Sequence, residues 1–405
     1  MKNMSEKFDV VVVGAGPSGS FASRLLAEKG YEVGLIDKKS FPREKPCGGG
    51  VTLRAWKIYG FHKINPQFSV KPVKRVLTYA RNDAFEISGE SSNEPLFYGV
   101  NRAEFDYELF KMAEEAGAKT LTKNHVTSIN VSEGVVEVKT FDGKDYFGKA
   151  VIGADGFPST VARKAGLFNK WKSHKIGACY VSESPLIEGA SNDFLEEELA
   201  EIHLDIGSFG YGWVFPKERA LNVGVGGNLL ESRTLKIFFN LFVQDLKKRG
   251  VLKNIDFKPP VIGLIPVSRR VEKTFRNRLL LTGDTAGFIN PLTGEGLYHA
   301  AKTAQLAVET LDYAFAKDDF SSETMVKYQK AWKEEFGDEF EVCEKVVEQV
   351  YKKKRGSRIA SYAKKDAKLR QNLRIIFFGG GSYKKALRGV VWRYFINRLK
   401  TGLKP

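Results

Sequence analysis

Cys47 is a lone thiol set against three consecutive glycines in KPCGGG, residues 45–50, ten residues beyond the acid Asp37. Glycine has no Cβ, so Gly48, Gly49 and Gly50 let a backbone pass close to a flat partner. A thiol with an unperturbed pKa of about 8.5 is mostly protonated near neutrality and can donate or relay a proton. Cysteine is also among the most buried residue types, so packing is the plainer reading of Cys47. The other two cysteines, Cys179 and Cys343, form no C-x-x-C pair and join no His/Cys cluster. Neither a disulfide framework nor a metal site is expected, and free thiols in a reducing compartment fit best. The five histidines, His62, His125, His174, His203 and His299, are dispersed, and none is assigned to catalysis.

A second group of residues could hold phosphate. Gly14, Gly16 and Gly19 stand in G-x-G-x-x-G spacing directly after the apolar run FDVVVV, where a helix should open. The first glycine makes the turn, the second admits a pyrophosphate to the backbone, the third allows close helix–strand packing, and the helix N-terminus favours the anion. Asp37 lies 18 residues beyond Gly19 at the end of the next strand, where an acid accepts hydrogen bonds from an adenosine ribose. This motif alone leaves FAD and NAD open. Two later stretches, VIGADGFPSTVAR (151–163) and LLLTGDTAGFINPLTGEGLYHAAKTA (279–304), also run from an apolar strand into a glycine turn. In the second, Asp284 falls at a strand end and the loop Asn290–Gly296 feeds a helix, an arrangement suited to partial negative charge such as a reduced flavin ring develops.

The elements that must position these residues follow from periodicity. Residues 8–13, 17–29 and 32–37 read as strand, helix and strand, one βαβ unit. Residues 102–119 carry Phe105, Leu109, Met112 and Ala113 at helical spacing. Between about 166 and 262, short extended stretches alternate with turn residues, and most of this region reads as an antiparallel sheet. Within it, YGWVFP places Tyr211, Trp213 and Phe215 on one face of a strand as an aromatic wall. A second doubly wound fragment resumes at 278, followed by a long helix from about 295 and a charged, largely helical extension past 323.

Of the 405 residues, 42% are apolar, an ordinary share for a globular protein, and no run resembles a membrane span or a signal peptide. A cytoplasmic protein is expected. The formal charge of +16 is concentrated in one place: residues 351–405 hold 17 Lys and Arg against the single acid Asp366, and the rest of the chain balances. Within that tail, RIIFF (374–378) and VVWRYFINRLK (390–400) interleave apolar and basic residues. Such a composition suits a helix lying on anionic lipid, or a basic helix that packs its aromatics on the main body. No recognition motif accompanies the charge, so nucleic acid is not expected as a partner.

Taken together, the motifs resemble the flavoproteins of the p-hydroxybenzoate hydroxylase fold over residues 8 to about 310. Within that group, KPCGGG, YGWVFPK and GDTAGFINPLTGEG look most like the geranylgeranyl reductase family, which saturates prenyl double bonds. The resemblance implies that Gly14, Gly16 and Gly19 hold the FAD pyrophosphate, Asp37 the adenosine ribose and Asp284 the ribityl chain. It further implies that the loop Pro291–Gly296, with Gly294, lies against the isoalloxazine. Arg102 and the Asp155–Gly156 turn match motifs that touch or support the cofactor, and Cys47, Gly48 and Gly49 would cross the flavin face. Gly287 stands where the hydroxylases often carry histidine, and Tyr211 stands where the halogenases carry the first tryptophan of W-x-W-x-I-P.

The expected fold class is therefore α/β, a Rossmann-like FAD-binding domain (1–75, 101–165 and 265–322) interrupted by an antiparallel β-rich substrate domain (76–100 and 166–264). A helical, basic C-terminal region (323–405) completes it. The expected activity is FAD-dependent saturation of geranylgeranyl chains in a lipid or prenyl diphosphate. Cys47 would be the proton donor, and Tyr211, Trp213 and Phe215 would line the substrate site. The electron donor would be NADPH or reduced ferredoxin, and the basic tail would meet an anionic membrane surface. The rival readings are a monooxygenase of the same fold and a prenyl-binding escort protein.

Overall fold

The computed structural model describes residues 5–80, 83–89, 91, 93–132, 134–168, 170–204, 210–267, 271–347 and 356–400. Its nucleotide-type sheet has eight strands, running in the order Phe275–Arg276, Leu279–Leu281, Asp145–Gly153, Ser5–Val13, Val33–Ile36 and Lys119–Leu121. The hairpin of Val126–Val131 and Val136–Thr140 is attached to Asp145–Gly153. The central pairs are parallel, and their strands are apolar on both faces because helices cover them. Val10 to Val12, Leu35, Ile152 and Leu280 are sealed from solvent. Helix Pro17–Glu28 packs against helices Arg102–Glu115 and Leu297–Lys317. The helix from Arg102 stops before residue 119: Gly117 adopts φ +105° and Lys119–Leu121 turns into the edge strand.

The second sheet has seven strands, ordered Val261–Pro266, Ile176–Pro185, Ala220–Asn228, Tyr211–Pro216, Leu199–Leu204, Arg75–Ala80 and Asp83–Ser88. It is antiparallel except where Leu199–Leu204 runs parallel to Arg75–Ala80. The stretch expected to be mostly sheet also contains a 17-residue helix, Ser232–Lys248. Its apolar residues Leu235, Phe239, Phe242 and Leu246 recur at helical spacing and are buried against the sheet. A small sheet of Gly50–Thr52, Phe97–Val100 and Val70–Val73 joins the two large ones.

The C-terminal helices Gly356–Lys365, Ala367–Phe378 and Tyr383–Lys400 turn Tyr362, Leu369, Leu373, Ile376 and Val390 into a core shared with Val76, Phe85, Ile87 and Phe97. Most of RIIFF is thus packing against the body, while the last helix behaves differently on its two sides. Residues 351–355 and 401–405 of the basic tail lie outside the described residues.

Phe239 anchors the helix on the seven-stranded sheet and is 2% exposed. Phe239→Ala is expected to cost about 3–5 kcal/mol in chemical denaturation. A cost below about 1 kcal/mol would show that the helix is not seated there.

Candidate active site

At Gly14 and Gly19 the turn after the first strand is sterically closed to any other residue. Gly14 has φ +101°, and a Cβ there would lie 2.3 Å from the Ala154 carbonyl oxygen; one on Gly19 would lie 1.8 Å from that of Gly14. Helix Pro17–Glu28 starts after Gly16 with no side-chain cap and Pro17 in its first turn, leaving its free amides for an anion. Asp37, just past the strand Val33–Ile36, accepts hydrogen bonds from Ala15 N at 2.7 Å and Lys39 N at 2.8 Å. It also lines a cavity of about 40 Å³ with Gly14, Asn124, His125, Asp155 and Thr160. Asn124 and His125 have no role in the sequence reading; the signal available was their place just past the edge strand Lys119–Leu121 of the parallel sheet.

Asp155 is committed to the protein itself. Its carboxylate accepts hydrogen bonds from Ser159 Oγ (2.6 Å), Thr160 N (2.7 Å), Val161 N (3.1 Å) and Thr285 Oγ1 (3.2 Å). Burial pushes its pKa up against the pull of these donors. It therefore ties the turn at 155–156 to the Gly283–Ala286 turn that carries Asp284. Burial also pushes the Asp284 carboxyl up, opposed by Lys45 and Arg102. A Cβ on Gly296 would lie 3.4 Å from Asp284 Oδ1, so that glycine keeps the space beside the acid clear.

The loop after Asp284 is shaped by Asn290, fully buried, whose Oδ1 accepts from Leu292 N (2.9 Å) and Thr293 N (3.1 Å). Gly294 takes φ +72° and Gly296 opens helix Leu297–Lys317. Asn290 Nδ2 donates to Glu339 at 2.8 Å, and Arg54 donates to both Glu295 and Glu339. His299, fully buried, places Nε2 3.2 Å from Glu339. Glu295, His299 and Glu339 lie close enough to ligate a cation, yet the Arg54 guanidinium already supplies the positive charge between the two carboxylates. Burial acts to raise the Glu339 pKa, but His299 and Arg54 hold the carboxyl well below the usual range.

Cys47 and its glycines run across the aromatic strand. A Cβ on Gly48 would sit 3.1 Å from the Phe215 ring and 3.3 Å from Trp213 Nε1; Gly49, at φ +70°, passes so near Val100 that a Cβ would lie 2.3 Å from its carbonyl oxygen. The Arg102 guanidinium, buried, donates to Asp106 at 2.8 and 3.0 Å. Although burial disfavours its charge, the paired Asp106 carboxylate keeps the guanidinium charged. Arg43 adds a second cation 3.2 Å from Asp106. A cavity of about 140 Å³ is lined by Cys47, Gly48, Gly49, Tyr211, Trp213, Phe215 and Gly294. Tyr211 donates to Thr293 O at 2.6 Å, pinning the wall to the 290–296 loop. Phe97, Phe377 and Phe378 close the same cavity, and the sequence reading passed over all three because they come from segments remote from YGWVFP. Pro291 lines a larger cavity of about 610 Å³ together with Trp213, Gly294, Cys179 and Gly226.

Residues 7–315 match the family model described as an FAD binding domain. Digeranylgeranylglycerophospholipid reductase 1 of Methanopyrus kandleri is 33% identical over 353 residues, 84% of this chain and 90% of the relative. The reductase of the same name from Methanocaldococcus jannaschii is 33% identical over 82% of this chain and 84% of its own. The chain belongs to the geranylgeranyl reductase family of FAD-binding flavoproteins. Its fold matches that of a geranylgeranyl bacteriochlorophyll reductase-like protein from Thermoplasma acidophilum, with a TM-score of 0.84, 24% identity and coverage of 99% of this chain and 100% of the other. The flavin-dependent brominase Bmp2 shares the fold at a TM-score of 0.75, with 19% identity over 98% of this chain and 100% of that one. FAD fits what this family member presents: a turn only glycine can make, an uncapped helix N-terminus, and an acid beyond the second strand.

Two acids of this reductase-family chain should separate on mutation. Asp284→Ala is expected to lower bound FAD per chain, read from the flavin absorbance of the purified protein, while thermal unfolding of the apoprotein is little changed. Asp155→Ala is expected to lower the apoprotein's own stability by about 1–3 kcal/mol, because it strands the amides of 160 and 161. An unchanged flavin content in Asp284→Ala would contradict a contact with the cofactor.

Proposed function

We propose that this protein is an FAD-dependent reductase that saturates C=C bonds of geranylgeranyl chains in a lipid or lipid precursor, working at the cytoplasmic face of a membrane. The observation that carries this reading is the Cys47 thiol on a glycine loop, lining an aromatic cavity with Tyr211, Trp213, Phe215 and Gly294. Gly14, Gly16, Gly19 and Asp37 hold the adenosine diphosphate part of FAD, Asp284 the ribityl chain, and Cys47 to Gly49 with Pro291, Gly294 and Gly296 the ring. Arg102 and Asp155 support these contacts. Bound FAD, once reduced by NADPH or ferredoxin, supplies the hydride.

The chain's own residues must supply the rest. An isolated alkene needs a proton at the carbon that does not receive the hydride, and Cys47 Sγ–H is the donor. The thiolate left behind faces Arg102, whose charge stabilises it until solvent returns a proton. Tyr211, Trp213 and Phe215 grip a chain that offers no hydrogen bonds, where each buried methylene contributes roughly 0.8 kcal/mol. The 140 Å³ cavity takes only part of a C20 chain, and the 610 Å³ cavity that shares Tyr211, Trp213 and Gly294 with it takes more.

The last helix supports docking on a bilayer. No helix among the described residues is long and apolar enough to cross a membrane. Tyr383–Lys400 nevertheless exposes Trp392 (66%), Phe395 (53%) and Leu399 (81%). At 100° per residue these share an arc of about 120° with Lys385, Arg388 and Val391. The opposite arc carries Ala386, Val390, Arg393 and Asn397, and the latter two bind Asp366 at 2.6 and 2.7 Å. One side is fastened to the protein, and the other offers apolar and cationic groups to anionic lipid.

Two experiments test this reading. Dithionite-reduced protein mixed anaerobically with geranylgeranyl phospholipid should reoxidise with a gain of two hydrogens per bond in the lipid mass spectrum. Cys47→Ala should slow that step by about 100-fold with FAD retained. A protein that stays reduced until air enters would point to oxygen chemistry instead. Trp392→Glu with Phe395→Glu should abolish salt-sensitive sedimentation with anionic liposomes while leaving flavin content unchanged, and undiminished binding would remove the helix from the membrane contact.

A further inference from the structure

Beside the Cys47 loop lies a buried polar group that the proposed mechanism does not use. Asn222, wholly enclosed, sits in the seven-stranded sheet between Phe215 on one neighbouring strand and Glu183 on the other. Its Oδ1 accepts from Trp213 Nε1 at 2.7 Å. Its Nδ2 donates to the carbonyl oxygen of Cys47 at 2.9 Å and to Glu183 Oε2 at 2.6 Å. Glu183 Oε2 also accepts from Lys217 Nζ at 2.8 Å, and Lys217 is 4% exposed. The Lys217 ammonium in turn reaches the loop: a Cβ on Gly49 would lie 2.6 Å from Nζ.

A single amide thus binds the backbone of the thiol residue and the ring of the aromatic wall, and one ion pair links that amide to the glycine two residues on. Glycine gives the loop its close approach but no side chain to hold it in place, so its register must come from outside. Trp213 meets the same amide through its indole N–H, while its ring fills the space over Gly224, where a Cβ would lie 2.1 Å from it. We infer that Asn222, held by the Glu183–Lys217 pair, is a positioning residue that fixes the Cys47 thiol and the Trp213 wall relative to each other. It touches neither alkene nor flavin, and its catalytic consequence rests on the reductase reading above.

The test reads the loop first and the reaction second. In Asn222→Asp the oxygen facing Trp213 is kept, but the donor to the Cys47 carbonyl is lost. Alkylation of Cys47 by iodoacetamide, followed by mass spectrometry of its peptide in the FAD-loaded protein, should quicken about tenfold. With prenyl lipid, kcat should fall about 10- to 100-fold with KM changed less than threefold, the mark of a misplaced donor in place of weakened binding. Lys217→Met, which removes the clamp at Gly49 and leaves Asn222 in place, should move both readouts the same way and stands in if Asn222→Asp does not fold. Alkylation at the wild-type rate in either folded, FAD-loaded variant overturns the inference. Should the wild type saturate no prenyl lipid, the reductase reading fails while the alkylation rates still decide the role of Asn222.

Discussion

The architecture depends on one close approach: the backbone of residues 48–50 must lie against the rings of Trp213 and Phe215 with nothing between. A methyl group on Gly48 would already crowd both rings, and one on Gly49 would collide with Val100 and Lys217. Because this loop leaves the nucleotide-type sheet and the rings belong to the seven-stranded sheet, the contact sets the distance between the two units. The three-stranded sheet that begins at Gly50 then fixes its direction, through the bond from Val100 N to Gly49 O. An apolar cavity lies against the loop, and the buried Arg102–Asp106 pair opens the helix that follows the three-stranded sheet.

Local patterns made part of this legible in the sequence. G-x-G-x-x-G, Asp37 and the Gly14 turn lie within one βαβ unit, where spacing in the chain is spacing in the fold. The one-sided strand of Tyr211, Trp213 and Phe215 was legible for the same reason, since period 2 is a local property. What stayed hidden converges from distant segments. Asn222 meets Cys47 across 175 positions and Arg54 meets Glu339 across 285, and no local rule relates them. Phe377 and Phe378 reach the cavity only because the C-terminal helices fold back on Phe97. The helix Ser232–Lys248 is a different kind of miss: Leu235, Phe239, Phe242 and Leu246 were in plain helical register, and the surrounding short strands obscured them.

Asp155 and Asp284 show how alike two acids can look in sequence and how unlike they are in place. Both follow an apolar strand and precede a glycine turn. Asp155 is surrounded by four donors from its own protein, which use up its accepting capacity. Asp284 is buried with cations acting on it and a glycine cleared beside it. The difference lies in which neighbours fill the space, and that is decided by tertiary packing.

Arg54 extends the argument to the C-terminal helices. Its guanidinium binds Glu295 in the 290–296 loop and Glu339 in helix Asp338–Val347, and lies 4.0 Å from the Tyr298 ring centroid and 5.4 Å from that of Tyr383. Its methylenes press on Gly379, where a Cβ would lie 2.7 Å from Cδ. A buried ion cluster adds little stability over an apolar one of the same shape, but loss of any member strands a charge. Its effect is selective: arrangements that separate the loop from the C-terminal helices are penalised, while the assembled one is merely neutral. Gly379 joins the end of the helix carrying Phe377 and Phe378 to the turn before Tyr383–Lys400. The same cluster therefore holds the cavity's aromatic roof and the start of the outward-facing helix to the 290–296 loop, so the exposed apolar face of that helix and the aromatic cavity share one rigid anchor.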